Sequence, residues 1–511
     1  MMDEDRNESI EQGVKQYSPY APPEKKTREK VVFTPREAIA LVLALGLALL
    51  WFEVYGIDGL FRDGLPGLGT AAFAAAMFAS AFIYLGREVR VDLQAAAYMA
   101  GALALCVCCC VFGDMWLRAI NGCIIFLLSA AALMRISGHA NCVWNEARII
   151  PETVRLSLKS LFINVDKPFR AAAFTGRSQR KLFGQVAIGI LAVIPVAAVV
   201  MALLSSADAV FKGTFEAVGR WMREAGLKTI LWKIVRTLAA GLMAFSALYF
   251  MRGKKKKQEE REKNALAAPT VPFAAALAVL DCVYLLFAVI QFAYLFGGNE
   301  TAAMEGGYAQ YARNGFFELA AVAVINVGIT LLTASLPMSR TDSTGKERLL
   351  LRILSFLLLA LTGVILVSAV WRMRLYISEY GMTLLRAMTL WGMALTAVCL
   401  AAAGVKLVRC EFRFFGVLFA ASLAGWIVFN CINIDARIAE YNVDAYLSGE
   451  LKYMDTTYLS DLSADTLPAL RRLEEATGKK WNAAETEAGV RMKREKVSWT
   501  EWNLSLFRYV K

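Results

Sequence analysis

Histidine is all but missing from this chain, whose 511 residues contain one, His139. That scarcity excludes His-based catalytic triads, HExxH zinc sites and a phospho-accepting histidine in a kinase core. His139 and Cys142 have a metal-like spacing, but two ligands with no others nearby fall short of a site. Phosphate-binding loops are missing as well. The stretch SRTDSTGKE holds Gly345-Lys346, yet Arg340 stands where the first glycine of such a loop belongs. No GxGxxG follows a strand, and no strand pattern is convincing anywhere. ATP-driven transport and nicotinamide chemistry are therefore not expected within the chain, and no cofactor or metal is expected.

Charge is scarce too. Only 20% of residues are charged and 57% are hydrophobic, with a mean hydropathy of +0.46. A soluble protein lies nearer a quarter charged and half apolar. The apolar excess is gathered in runs near 38–56, 67–85, 95–112, 117–134, 182–203, 229–251, 272–296, 314–336, 350–371, 384–405 and 414–432. Such lengths cross a hydrocarbon core of about 30 Å at about 1.5 Å per residue. Lipid offers the backbone no hydrogen bonds, so the runs must be helical. The expected fold is all-α: a polytopic transmembrane bundle of about eleven helices in a cell (inner) membrane, residues 38–432. It is flanked by a disordered cytoplasmic lead-in, 1–37, and a small soluble helical tail, 433–511. The lead-in is polar, carries Pro22 and Pro23, and does not read as a cleavable signal peptide.

The formal net charge is +12. Nucleic acid is not the expected partner, because Lys and Arg cluster between the apolar runs. With the N-terminus inside, inner segments carry 31 of them and outer loops 8, which is the positive-inside asymmetry. An odd helix count then puts the tail outside. The run Lys254, Lys255, Lys256 and Lys257, beside Arg252, Arg261 and Lys263, would hold anionic lipid headgroups at roughly 1 kcal/mol per basic residue. It serves equally as an orientation signal for the preceding helix.

The ten cysteines suggest no disulfide framework, since none falls in the tail or in a predicted outer loop. The triplet Cys108-Cys109-Cys110 reads as core packing, because buried free Cys behaves as a small hydrophobe. Two extramembrane segments carry helical patterns. In 205–224, Val210, Phe211, Phe215, Val218 and Met222 recur opposite Lys212, Glu216, Arg220 and Arg223, as in a helix lying on the outer leaflet. The tail has 12 basic and 13 acidic residues. Its Leu459, Leu462, Leu467, Leu470 and Leu473 fall at helical spacings, and Ser463 or Asp465 can cap a helix entering at Pro468. Trp481, Trp499, Trp502 and Phe507 supply a small aromatic core or a membrane-interface belt.

Ionisable and amide groups at membrane depth are costly unless paired, and so are candidates for function. Asp281 lies about 14 Å into its helix, near the midplane. Asn326 on the antiparallel neighbour should reach a similar depth. The pair reads as a proton or cation relay, or as a helix–helix hydrogen bond that fixes packing. Tyr308, Tyr311, Gly315 and Glu318 share one helix face, with Arg313 in the same run. Gln291 reaches comparable depth, and Lys233 and Arg236 could pair with Glu318. These groups could line a polar cavity or act as interface anchors and a structural ion pair.

Several runs carry a family resemblance. QFAYLFGG (291–298), YAQYARNGFFEL (308–319), SSADAVFKGTFE (205–216), NIDARIAEYNVDAYL (433–447), YLSDLSADTLPAL (458–470) and WTEWNLSLFRYVK (499–511) resemble the bacterial multipass membrane proteins of the domain-of-unknown-function families 4153 and 4173. The resemblance covers roughly residues 180–511. It implies a multipass architecture with a characteristic C-terminal segment and brings no activity with it. Tyr311, Arg313, Gly315, Phe316 and Glu318 match its pattern most closely.

The favoured reading is a regulatory or interaction protein of a bacterial envelope, not an enzyme, with a protein partner of unknown identity. A secondary transporter or ion-coupled permease is the alternative. A membrane enzyme acting on lipid or glycan comes third, with Glu318 and Tyr308 or Tyr311 as its only candidate set.

Overall fold

The computed structural model describes residues 34–56, 65–140, 148–175, 200, 227–253, 270–296, 316–335, 345–409 and 411–509. Among these, every regular element is helical. The apolar helices are α1 Pro35–Tyr55, α2 Leu68–Leu85, α3 Leu93–Val111, α4 Met115–Ile136, α7 Leu227–Met251, α8 Thr270–Phe296, α9 Phe316–Ser335, α10 Gly345–Tyr380, α11 Leu384–Val408 and α12 Phe414–Cys431. Between α4 and α7 come α5 Ile149–Phe162 and α6 Lys167–Thr175. The tail folds as α13 Ile434–Leu447, α14 Thr456–Asp461, α15 Leu467–Thr477, α16 Ala483–Lys496 and α17 Ser505–Arg508. Nine of the described helices are long and apolar enough to cross a membrane, and α9 carries a shorter apolar stretch, Ala321–Thr333. Ten of the eleven expected runs are thus helices. The eleventh, 182–203, lies outside the described residues, as do 205–224 and Lys254–Lys257.

The chain divides into two units, Met1–Pro35 with Asp166–Arg220 and Arg36–Val165 with Trp221–Lys511. In the first, α6 carries an ion pair one turn apart, Arg170 Nε to Asp166 Oδ2 at 2.8 Å. Everything below concerns the second.

Two elements differ from expectation. Helix α10 is 36 residues long, about 54 Å, where the hydropathy ends it near 371. No glycine or proline interrupts the chain between Gly363 and Gly381, so nothing stops the helix until Gly381, whose φ is +77°. The expected basic loop after α4 contains α5, which buries Thr153, Leu156 and Ser160 and packs on α4 and α7. Ser246 Oγ joins the two, donating to the Ser160 carbonyl at 2.6 Å and accepting from the Asn164 amide at 2.9 Å.

Packing divides the bundle into two neighbourhoods. Helices α2, α3 and α4 pack together, while α8, α9, α10 and α11 form a second group, with α12 joining α11 to α3. A polar knot fixes the junction. Trp426 Nε1 donates to Asn121 Oδ1 at 2.8 Å, Asn121 Nδ2 to Asn430 Oδ1 at 2.7 Å, and Asn430 Nδ2 to the Trp426 carbonyl at 2.8 Å. Each bond replaces one that lipid cannot supply, which specifies which helices meet.

The tail is built onto one end of the bundle. Amides of Gly67 and Gly69 both donate to the Thr500 carbonyl at 2.9 Å, and the Leu68 amide donates to Trp502 at 3.0 Å. The Leu504 amide reaches the Cys110 carbonyl at 2.8 Å. Gly67 has to be glycine here, because a Cβ would fall inside van der Waals distance of the Trp502 carbonyl oxygen. Asn442 adds a two-way clasp on Met382, accepting from its amide at 2.6 Å and donating to its carbonyl at 2.9 Å. Leu459, Leu467, Leu470 and Leu473 are fully buried, while Leu462 of the same expected set is half-buried. The aromatics split into two pairs, Trp481 against Tyr446 and Trp502 against Phe507, while Trp499 is exposed.

Candidate functional site

Asp281 and Asn326 are both buried. Leu277 packs with Leu351 and Leu358, and Phe287 packs with Ile365 and Ala369. Helices α8 and α10 therefore run parallel, and Asp281 falls level with Thr362. Ile329 belongs to the first cluster and Val322 to the second, which puts Asn326 at the same level on α9. Asn326 Nδ2 donates to Thr362 Oγ1 at 2.9 Å, and Thr362 donates to the Leu358 carbonyl at 2.6 Å. The seam continues through Thr330, Thr333 and Ser355. Among the described residues, neither carboxylate oxygen of Asp281 receives a hydrogen bond, and neither does Asn326 Oδ1. The two side chains stand level along their helices, but the amide bonds Thr362 and not the acid.

Arg236 lies on α7 with its guanidinium 4.5 Å from the centre of the Phe52 ring, a cation–π contact on α1. Glu318 and Gln291 occupy helical positions on α9 and α8, with side chains outside what is described. Tyr308, Tyr311 and Arg313 lie outside the described residues altogether. Of the expected outer cluster, only Lys233 and Arg236 have their side chains among the described residues.

A second constellation sits at the tail end of the bundle. A cavity of about 1440 Å³ opens between the first turns of α4 and α11 and the tail segments α14 and α16. Two buried acids line it. Asp114 is the N-cap of α4, its Oδ1 accepting from the Leu117 amide at 2.7 Å, the ordinary use of Asp at a helix start. Asp435 stands in the first turn of α13, with Oδ2 accepting from the Ser463 amide at 3.0 Å. Their remaining oxygens, Asp114 Oδ2 and Asp435 Oδ1, receive no hydrogen from any donor among the described residues. Instead the two carboxyl groups lie against each other within hydrogen-bonding reach. Burial, reinforced by the negative charge of Asp114, pushes the Asp435 carboxyl up to about 7.

The nearest cation is spent elsewhere. Arg118 donates from Nη1 to the Leu65 carbonyl at 2.8 Å and from Nη2 to the Gly113 carbonyl at 3.1 Å. A third acid, Asp465, is held by burial above the usual carboxylate range and lies 4.0 Å from Arg508. It does not cap the helix at Pro468: the Thr466 N-cap makes no side-chain bond, and Asp465 turns toward Ser505 and Asn433. Asn433 itself takes φ +53° at the joint between α12 and α13, a left-handed conformation that Asn tolerates better than most residues.

None of these acids was singled out by hydropathy, since they stand just outside the apolar runs. The available signals were weaker. Asp114 is an uncompensated acid in a four-residue turn without Lys or Arg, and Asp435, Ser463 and Asp465 fall inside the runs that carry the family resemblance.

A family model described as "Domain of unknown function (DUF4153)" matches residues 99–473. That span includes Asp114, Asp281, Asn326, Asp435 and Asp465. No curated protein and no solved structure matches the chain.

Proposed function

This chain belongs to the family described as Domain of unknown function (DUF4153), and from that premise we propose that it is a regulatory protein of a bacterial cell envelope whose tail and membrane helices jointly hold a ligand. The tail faces the outside of the cell (inner) membrane and transmits occupancy of the cavity to a protein partner. The observation that carries this reading is the cavity of about 1440 Å³ walled by both membrane-helix ends and tail. A ligand there touches two parts of the chain that are far apart in sequence, so binding biases how the tail is seated. The asymmetry of Lys and Arg supports the orientation, and the tail runs quoted above support kinship with the 4173 family as well.

Gly489 offers the test. It lines the cavity, and an added Cβ meets nothing within 4 Å, so Gly489→Trp fills the space without a clash at the helix. In-cell cross-linking followed by mild-detergent purification should bring down one partner protein at near-equal stoichiometry with the native chain. Filling the cavity should change that yield several-fold. A solitary native protein, or a partner indifferent to Gly489→Trp, overturns the reading.

A second reading, ion-coupled transport, has its own observation in Asp281. An acid that is 3% exposed, with no hydrogen bond to either oxygen, is the kind of group that proton and cation relays use. In proteoliposomes Asp281→Asn should abolish any proton- or cation-linked flux of the native protein. Undiminished flux in that variant removes this reading.

A further inference from the structure

The cavity's two buried carboxyl groups select its ligand. We propose that the site takes a protonated alkyl amine, with the ammonium seated between Asp114 and Asp435 and the apolar body lying along the cavity wall. This rests on the reading of the cavity as a ligand site and adds the chemical class.

The argument starts from unmet hydrogen bonds. Asp114 and Asp435 are 6% and 2% exposed, and each has one oxygen tied to a backbone amide and one with no donor. Both residues line the cavity, and their carboxyl groups lie within hydrogen-bonding reach of each other. Two acceptors in contact with no hydrogen between them cost several kcal/mol in a buried setting. Something with at least two donor hydrogens must come between them, or the pair must keep a proton. The neighbouring Arg118 supplies charge, but its bonds run from Nη1 and Nη2 to the Leu65 and Gly113 carbonyls and its buried Nε has no acceptor among the described residues, so it does not bridge the two acids. With Asp114, Asp435 and Arg118 all ionised, the cluster carries one negative charge in excess. A monocation makes it neutral.

The walls decide the rest of the ligand. Met115, Trp116, Leu384, Leu385, Met388 and Leu462 face the same space. Trp116 and Leu385, more than half exposed, stand in the first turns of the apolar helices α4 and α11, where lipid or an alkyl chain can cover them. A volume of about 1440 Å³ exceeds what a small ion fills and reaches past the range of pockets for drug-sized ligands. An ammonium with N–H donors on an apolar body matches both ends. A quaternary ammonium matches the charge and the apolar wall but brings no N–H donor.

The test uses the full chain in lipid nanodiscs at pH 8, with octylamine as probe and empty nanodiscs to subtract partition into lipid. Saturable binding of octylamine is expected, with octanol and octyltrimethylammonium at least tenfold weaker. Asp435→Asn should weaken octylamine at least tenfold while preserving the bond to Ser463, and Asp114→Asn should do the same while still capping α4. Equal binding of octanol, equal binding of octyltrimethylammonium, or undiminished binding in both Asn variants overturns the proposal. Saturation by a divalent metal with no response to octylamine overturns it too. If octylamine does not bind while Gly489→Trp still alters partner cross-linking, the amine assignment falls and the ligand cavity stands. If Gly489→Trp is silent as well, both fall.

Discussion

Two buried acids define the contrast within this molecule. Asp281 lies in the middle of an apolar helix, level with Asn326 and Thr362, and neither of its oxygens is bonded. Asp435 lies where the bundle meets its tail, with one oxygen bonded to Ser463 and the other against a second acid. The first is isolated and the second is networked. Burial alone therefore does not say whether an acid is structural. What separates the two is how many parts of the chain depend on it, none among the described residues for Asp281 and three around Asp435, namely the α4 cap, the α13 start and the turn at Ser463. Removing groups from the networked end should cost stability, and removing Asp281 should not.

The largest effect is expected at Arg118. Its guanidinium bonds the carbonyls of Leu65 and Gly113 and is the closest compensation for Asp114 and Asp435. Arg118→Ala leaves two buried carbonyls and a pair of acids without their cation, a loss of about 3–5 kcal/mol. The measurement is denaturant unfolding in detergent, with amide exchange over 456–509 to show that the tail opens first. A loss below about 1 kcal/mol would mean that the acids do not depend on this arginine.

A somewhat smaller effect follows from pH. Asp435 is pushed up to about 7 in the fold, against about 3.9 when unfolded. Between those values the folded chain holds the extra proton, so this group's stabilisation is complete below about 4. It is lost as pH rises through about 7, by at most on the order of 4 kcal/mol. Burial sets it first and the charge of Asp114 second, against the bonds from Ser463, and Arg118, Asp465 and Tyr458 are the other titratable groups that interact with it. In Asp435→Asn the amide donates to Asp114 at every pH. The thermal midpoint of the native chain should therefore fall relative to this variant between pH 4.5 and 7.5. A flat or rising difference contradicts the shared proton, and an alkyl amine ligand should offset the fall.

The same contrast explains what could be read in advance. Helix positions followed from hydropathy because a lipid-facing backbone has one solution, and Asp281 stood out because depth along a helix is countable. The Asp114–Asp435 contact was not legible in that way, since it joins residues 321 positions apart through a turn, Asn433 at φ +53°, that no periodicity reports. Helix α10 ran past its expected end for a related reason. Hydropathy marks where lipid stops, whereas the helix stops only at a breaker, Gly381. The aromatics of the tail were visible as a group, but their division into two pairs depends on how α13 and α16 dock.

At the level of Asp281 a graded pair of substitutions sharpens the comparison further. Thr362→Val removes the acceptor of Asn326 Nδ2 and should cost about 1–2 kcal/mol, the ordinary loss for a buried donor left unsatisfied. Asp281→Leu should cost less, within about 1 kcal/mol of neutral, because no bond is lost and apolar replacements of buried charges are often neutral or stabilising. Reversible unfolding in mixed micelles measures both. A loss above about 2 kcal/mol for Asp281→Leu would show that the acid is structural and would place it with Asp435. A neutral result would leave an unbonded acid at membrane depth that contributes nothing to the fold. Its presence would then have to be explained by movement of a proton or cation, which the flux of Asp281→Asn tests directly.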